Sequence, residues 1–367
     1  MKKLISNCST FKTIIALIAF SLAFIALTSC DKSTTGVESN NAGIILDSIT
    51  YQTIQEAIDH AIHGDTLFLT EGIYADDYDK NLTWDGHTKH ITITTWGNTT
   101  QSGYAIIDCD GSDHAFDFSR THQTEQDWII GITIRNAGNN TYDSGIYCEE
   151  VSPNIIGCTI ENNNSSGIYC DDASPLIEHC KIRNNKTGIL CNFGAAPIIR
   201  YNYIENNNQE SIYSIGQAHP QILNNVISGN KRGIHCLEYA NSTIINNTIA
   251  DNQEWGIKIQ NPTSSAILNT IVWNNADCVV ITDSVFISNC CLQESNTWSE
   301  PDSLENIYLN PQFIPSGFYV LQMTSPCINA GNNDYLNNIF EDIEGHSRIY
   351  DGTVDIGAYE WQPLYKN

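Results

Sequence analysis

The 367-residue chain is long enough for one large domain or two ordinary ones, and its 41% hydrophobic content allows a substantial core. Its formal charge is −25; three of the 17 basic residues and none of the 42 acidic ones lie in residues 1–29, so the remainder carries −28. Such a surface repels nucleic acid and anionic membranes, which excludes both as expected partners, and an anionic polysaccharide would need a bridging cation.

The chain opens with Lys2, Lys3 and Lys12, then an apolar run from Ile14 to Leu27 that is short for a membrane span. The run ends in Leu27-Thr28-Ser29-Cys30, which resembles the bacterial lipobox. The resemblance implies a lipoprotein signal peptide over residues 1–29, with Cys30 lipidated and its acyl chains seated in a membrane. Residues 30–43 are polar and read as a lipidated tether. The protein is therefore expected to be exported and lipid-anchored to the bacterial envelope. Asp31 is compatible with inner-membrane retention in some bacteria and with surface export in others. The outer membrane or cell surface is the expectation taken here.

A helix follows. Thr53 and Glu56 form a capping box. Ile54, Ala57, Ile58, Ala61 and Ile62 fall on one helical face, and Gly64 can end the element. Such an amphipathic helix suits the open end of a solenoid, where apolar side chains and strand edges need cover.

From residue 145 the chain repeats. Gly145, Gly167, Gly188, Ser211, Gly233 and Gly256 each precede Ile, at steps of 21–23 residues. A second column runs Ile160, Ile182, Ile204, Ile227, Ile249 and Ile271. Short β-branched runs alternate with Gly, Asn, Asp and Ser clusters, leaving no room for helices. A leucine-rich repeat has a similar period, but its column would be Leu rather than Ile. The expected fold is all-β: a right-handed parallel β-helix of about 22-residue coils over residues 44–310, with the short N-terminal helix as cap. Equivalent residues would then stack about 4.8 Å apart. Cys158, Cys180, Asn202, Asn225, Asn247 and Asn269 would make one ladder; Cys148, Cys170, Cys191, Ser214 and Cys236 would make another, facing inward. Most of the 13 cysteines thus read as core filler. Stacked neighbours have parallel Cβ vectors, which disfavours disulfides.

Both flanks of the repeats carry family resemblances. Residues 53–74, with the helix, Gly64-Asp65-Thr66 and Gly72-Ile-Tyr74, resemble the entry of the pectin-lyase-like superfamily. Near the other end stand Asn310-Pro-Gln-Phe313, Ser325-Pro-Cys-Ile-Asn-Ala-Gly331, Asp342-Ile-Glu-Gly345, Arg348 and Asp355-Ile-Gly-Ala-Tyr-Glu360. They resemble the choice-of-anchor Q module of bacterial β-helix proteins, which implies a C-terminal cap over residues 311–362. The resemblance implies architecture and export; this fold hosts lyases, hydrolases, adhesins and binding proteins alike.

Catalytic signals are sparse. Hydrolases of this superfamily share an Asn-Thr-Asp, an Asp pair and a Gly-His-Gly; only the pair Asp171-Asp172 is present. A lyase needs a basic residue beside a site that neutralises a uronate carboxylate, often with Ca²⁺. Lys181, Arg183, Lys186 and Arg200 are candidates, but Glu161, Arg183 and Glu205 share a column and read as a surface ion-pair ladder. Tyr147, Tyr169 and Tyr213 should point outward with Leu190 and His235, and exposed aromatics in a row can stack on sugar rings. They are the candidate carbohydrate-binding residues; ordinary surface tyrosines are the alternative. Beside them Glu149, Glu150, Asp171 and Asp172 fall on neighbouring coils. Four carboxylates so close repel unless a hard cation sits among them, which makes Ca²⁺ the one cofactor suggested; a solvated acidic loop is the alternative. Three functions fit: non-catalytic binding of a polysaccharide, cell-surface glycan or partner surface, which is the reading adopted; a polysaccharide lyase or glycoside hydrolase; and a purely structural or adhesive role.

Overall fold

A computed structural model describes residues 42–363, apart from 84–88, 97–104, 113, 120–126, 139, 141–142, 262–263, 282–284, 294–303 and 316. Cys30, the signal peptide and most of the tether lie outside the described residues. The described part is a solenoid of about nine turns and about 22 residues per coil. Its strands form three sheets. Sheet I has 12 strands, from Ile44–Leu46 to Phe286–Ser288; sheet II has ten, from Gly72–Tyr74 to Cys291–Leu292; sheet III has eight, from His114–Phe118 to Asp277–Ile281. Pairing between coils is parallel; at the N-terminal edge of sheet I, Ile44–Leu46 pairs antiparallel with both Ile49–Tyr51 and Thr66–Leu69, so the parallel coils begin after residue 44.

Isoleucine sets the core. In sheet I, Ile129, Ile155, Ile177, Ile199, Ile222, Ile244 and Ile267 are register partners on successive coils, all fully buried. Each such side chain contributes about 1.5–3 kcal/mol on leaving water. The sheet II column is Ile160, Ile182, Ile204, Ile227, Ile249 and then Val272, not Ile271. Ile271 pairs with Thr248 and faces outward.

The corners explain the asparagines. Each coil leaves sheet I through one residue with positive φ: Gly157, His179, Tyr201, Asn224, Asn246 and Asn269. Asn and Gly tolerate that left-handed conformation best. The next residue carries the inward ladder: Cys158, Cys180, Asn202, Asn225, Asn247 and then Thr270. The Asn202, Asn225 and Asn247 main-chain N–H groups donate to Asn225, Asn247 and Thr270 side-chain oxygens at 2.9, 2.9 and 3.3 Å. Asn269 therefore belongs to the corner, not to the ladder expected from spacing.

The capping helix, α1 (Ile54–His60), is shorter than its apolar pattern suggests. Thr53 Oγ1 accepts the Glu56 N–H at 3.2 Å, and Ile54, Ala57 and Ile58 are buried. The chain turns extended at Ala61, so Ile62 is 68% exposed instead of joining the face. Lys89 Nζ closes the helix by donating to the carbonyls of Ile58 and Ala61.

Residues 311–362 lie along the flank of the last coils. Outward residues Leu223, Ile245 and Leu268 of sheet I are covered by Ile339 and Tyr335. Val226 is covered by Ile343, Ala358 and Tyr359, and Ile271 and Cys291 by Leu321, Cys327 and Ile356. Asn269 fastens this module: its amide donates to Asn332 O at 2.9 Å and accepts the Asn332 N–H at 2.8 Å. Inside the module Arg348 is fully buried and donates to the carbonyls of Asp355 and Gly357 at 2.8 and 2.9 Å. Asp342, Asp355 and Glu360 accept backbone N–H groups around it. The charged residues of the C-terminal motif thus form its internal scaffold.

Candidate carbohydrate-binding site

The outer face of sheet III holds the expected aromatic column. Tyr147, Tyr169, Leu190, Tyr213, His235 and Lys258 are register partners coil after coil. The rings, however, pack on one another. His114 stacks on Tyr147 with centroids 5.2 Å apart and planes 14° apart; Tyr213 stacks on His235 at 5.2 Å and 23°. Tyr169 meets Tyr147 edge-on at 5.3 Å and is only 3% exposed. Its hydroxyl accepts from Asn192 Nδ2 at 3.2 Å. These contacts occupy ring faces that a sugar would need, so the column presents edges and hydroxyls rather than an open stacking surface. Burial, then Glu149 and Asp171, pushes the Tyr147 phenol well above its usual range.

The acid pairs come together in part. Glu149 and Asp171 are register partners. Burial and then the Asp171 charge raise the Glu149 carboxyl, and burial and the Asp172 charge raise that of Asp171. Glu150 and Asp172 sit at the corner leaving sheet III with φ of 58° and 47°, where their backbones donate to Asp171 O and Asn192 O. Their placement follows from the turn. Among the described residues no group of three or more His, Cys, Asp or Glu side chains is disposed to hold a metal ion. Ca²⁺ at Glu149, Glu150, Asp171 and Asp172 would require these side chains to move.

Further along the same face lies a cluster that spacing did not reveal. Arg232 bonds Glu210 at 2.9 Å and Glu254 at 2.7 Å. Arg232 and Lys258 lie over the Trp255 ring, at 4.9 and 4.4 Å. His235 Nδ1 lies 3.5 Å from Glu210 and its Nε2 3.2 Å from Gln260 Oε1. Burial opposes ionisation of Glu210, but His235 and Arg232 outweigh it and hold the carboxyl at about 2. Two of the other four candidate bases are engaged: Arg183 bonds Glu161 at 2.8 Å and Arg200 bonds Glu178 at 3.0 Å. Lys181 and Lys186 are exposed.

At the corner where chains pass from sheet II to sheet III, a cleft of about 450 Å³ opens. Asn162, Asn163, Asn164, Asn184, Lys186, Asn208 and Gln209 line it, over three coils. Of these, Lys186 alone stands out in the sequence, as a possible base. Beneath the cleft runs a second amide ladder: Asn163, Asn185, Asn207, Asn230, Asn252 and Asn275, joined Nδ2 to Oδ1 at 2.8–3.2 Å. Its recurrence at 22–23 residues was legible but was masked by the many asparagines around it.

The geometry is that of a parallel β-helix with a polar cleft on one corner. Residues 71–218 and 175–325 match the family described as right handed beta helix region, and the chain belongs to that family. No curated protein matches it. Among solved structures it is similar to the pectate lyase Pel9A, at 14% identity and a TM-score of 0.55, over 84% of this chain and 91% of that one. It is also similar to the A-module of the Azotobacter vinelandii mannuronan C-5 epimerase AlgE6, at 16% identity, TM-score 0.36, and 65% and 68% coverage. The PL6-family alginate lyase AlyGC follows at 12% identity, TM-score 0.34, and 85% and 58% coverage. At such identities the pectate lyase supports a pectin-lyase-like fold and nothing finer. Among the described residues, no helix is long and apolar enough to cross a membrane.

Proposed function

We propose that this protein is a bacterial cell-envelope lipoprotein, anchored through Cys30 at the outer membrane or cell surface, whose β-helix binds an extended glycan without catalysis. The observation that carries the reading is the composition of the corner cleft. In a chain with 42 acidic residues, its described lining is five carboxamide residues around the buried Asn163, with one lysine and no acidic residue. A carboxamide both donates and accepts, as sugar hydroxyls do, so a row of them matches vicinal diols. The cleft holds no acid–base pair, which supports binding rather than turnover. A rigid solenoid also needs little reordering to hold an extended chain. A glycan array probed with the Cys30→Ser protein tests this: retention of at least one polysaccharide supports it, and a blank array abandons it.

A second reading, a polysaccharide lyase, is favoured by one observation. Tyr213, His235 and Lys258 share a column beside Glu210 and Arg232, so a phenol, an imidazole and a cation stand together. Appearance of unsaturated uronate product by ultraviolet absorbance with any array hit would replace the binding reading by this one.

A further inference from the structure

We propose that Cys291 and Cys327 are the site of an intramolecular disulfide that ties the C-terminal module to the last coil of the β-helix. Cys291 lies in the final strand of sheet II and follows Cys290. Successive strand residues face opposite ways. Cys290 turns inward, its thiol donating to Ile267 O at 3.4 Å, whereas Cys291 is the register partner of outward Ile271. Only Cys291 can therefore meet the module. Cys327 is fixed from the module side: its N–H donates to Ser325 Oγ at 3.2 Å and its carbonyl accepts Ile356 N–H at 3.0 Å. The two thiols touch inside a buried cluster with Ile271, Leu321 and Ile356.

Other cysteines also touch, namely Cys158 with Cys180 and Cys170 with Cys191. Those pairs stand on adjacent coils of a parallel ladder, with Cβ vectors side by side, which opposes a C–S–S–C dihedral near 90°. Cys291 and Cys327 come from elements with no strand pairing between them, so their vectors can converge. The Cys327 thiol and burial push the Cys291 thiol far above its usual range. Oxidation therefore belongs to folding, before the module closes. The Cys327 thiolate attacks a protein disulfide of a thiol oxidant and forms a mixed disulfide. Cys291 thiolate then displaces the oxidant, which leaves as a dithiol carrying the two electrons and two protons.

The oxidising compartment rests on the export reading; the pairing itself does not, and the experiment separates them. The reduced, denatured full chain is refolded in a glutathione redox buffer, alkylated and mapped by mass spectrometry. A single linked peptide pair, Cys291 with Cys327, is expected, with Cys158, Cys180, Cys170 and Cys191 alkylated. Reduction, or Cys327→Ser, should lower Tm by about 5 °C. Alkylation of both Cys291 and Cys327 after refolding overturns the proposal, as does linkage within the ladders instead. Protein isolated from producing cells should carry the same bond. The bond in refolded protein with free thiols in cell-derived protein upholds the site and sinks the exported location.

Discussion

Asn185 delivers both its backbone N–H and its side-chain amide to one atom, the Oδ1 of Asn207, at 3.0 and 3.2 Å. Asn207 does the same to Asn230, at 2.9 Å twice. Each rung thus satisfies the one before it, and the remaining amide proton goes to a core carbonyl such as Ile160 O. A buried polar chain of this kind stabilises only while every member is present, because each amide polarises the next.

Replacing Asn207 by Leu should therefore cost about 2–5 kcal/mol, since it strands two buried Asn185 donors at about 1–3 kcal/mol each. Replacing exposed Asn208 should cost less than about 0.5 kcal/mol. Urea unfolding followed by circular dichroism gives both values. Equal effects at the two positions would show that the ladder is ornamental.

The period and the isoleucine columns were legible because strand geometry forces apolar residues onto fixed rungs. Single-residue registration was not: Asn269 and Thr270 are both polar, and only backbone φ decides which one turns the corner. Ile271 and Val272 are likewise both apolar, and the outward one is tolerated because the module covers it. The tyrosines fall in one column as their spacing requires, but the burial of Tyr169 and the stacking of side chains along the solenoid axis cannot be read from spacing. The cleft depends on exposed asparagines beside a buried ladder of the same residue type, so composition hid it. The flank site of the module was foreshadowed, since the outward column of sheet I changes from Glu178 and Arg200 to Leu223, Ile245 and Leu268.

Asp127 should make stability depend on pH. It is buried, accepts the Ile91 N–H at 2.8 Å, and burial raises its carboxyl to about 7. The unfolded value is about 3.9. Between these values the folded chain holds a proton that the unfolded chain has released, so this contribution is full below about pH 4 and is lost as pH rises to 7. Glu360, raised to about 7 by burial and then Asp355, acts in the same direction. Asp127→Asn keeps an oxygen acceptor for Ile91 and removes the charge. The variant should gain Tm relative to the parent at pH 8 and lose that gain at pH 4. An unchanged difference across this range would show that Asp127 ionises normally.

Cys30→Ser should move the protein from the membrane to the soluble fraction on cell breakage. On the proposed reading the variant lacks the residue that carries the acyl chains, and the described residues include no helix able to span a bilayer. Persistent membrane fractionation, together with no acyl mass on the parent protein, would remove the anchor.

Two sets of substitutions separate the cleft from the tyrosine column as the glycan site. Lys186 and Asn208 are exposed on the cleft wall, so the double Ala variant should keep its Tm within about 1–2 °C while losing about 1–3 kcal/mol of glycan binding, the worth of two lost hydrogen bonds. Tyr169 is buried against Tyr147 and bonded by Asn192. Tyr169→Ala should instead cost about 3–5 kcal/mol of stability, in line with large aromatic truncations, and leave the affinity of the folded fraction unchanged. For a neutral glycan, chelator should change neither result, because the acid pairs at Glu149, Glu150, Asp171 and Asp172 lie at the opposite end of the sheet III strands from the cleft. An anionic ligand lost on adding chelator would return those carboxylates to the site. Isothermal titration and a thermal melt on each variant decide between the two faces. Lost affinity in Tyr169→Ala with full affinity in the cleft variant would move the binding site back to the aromatic column.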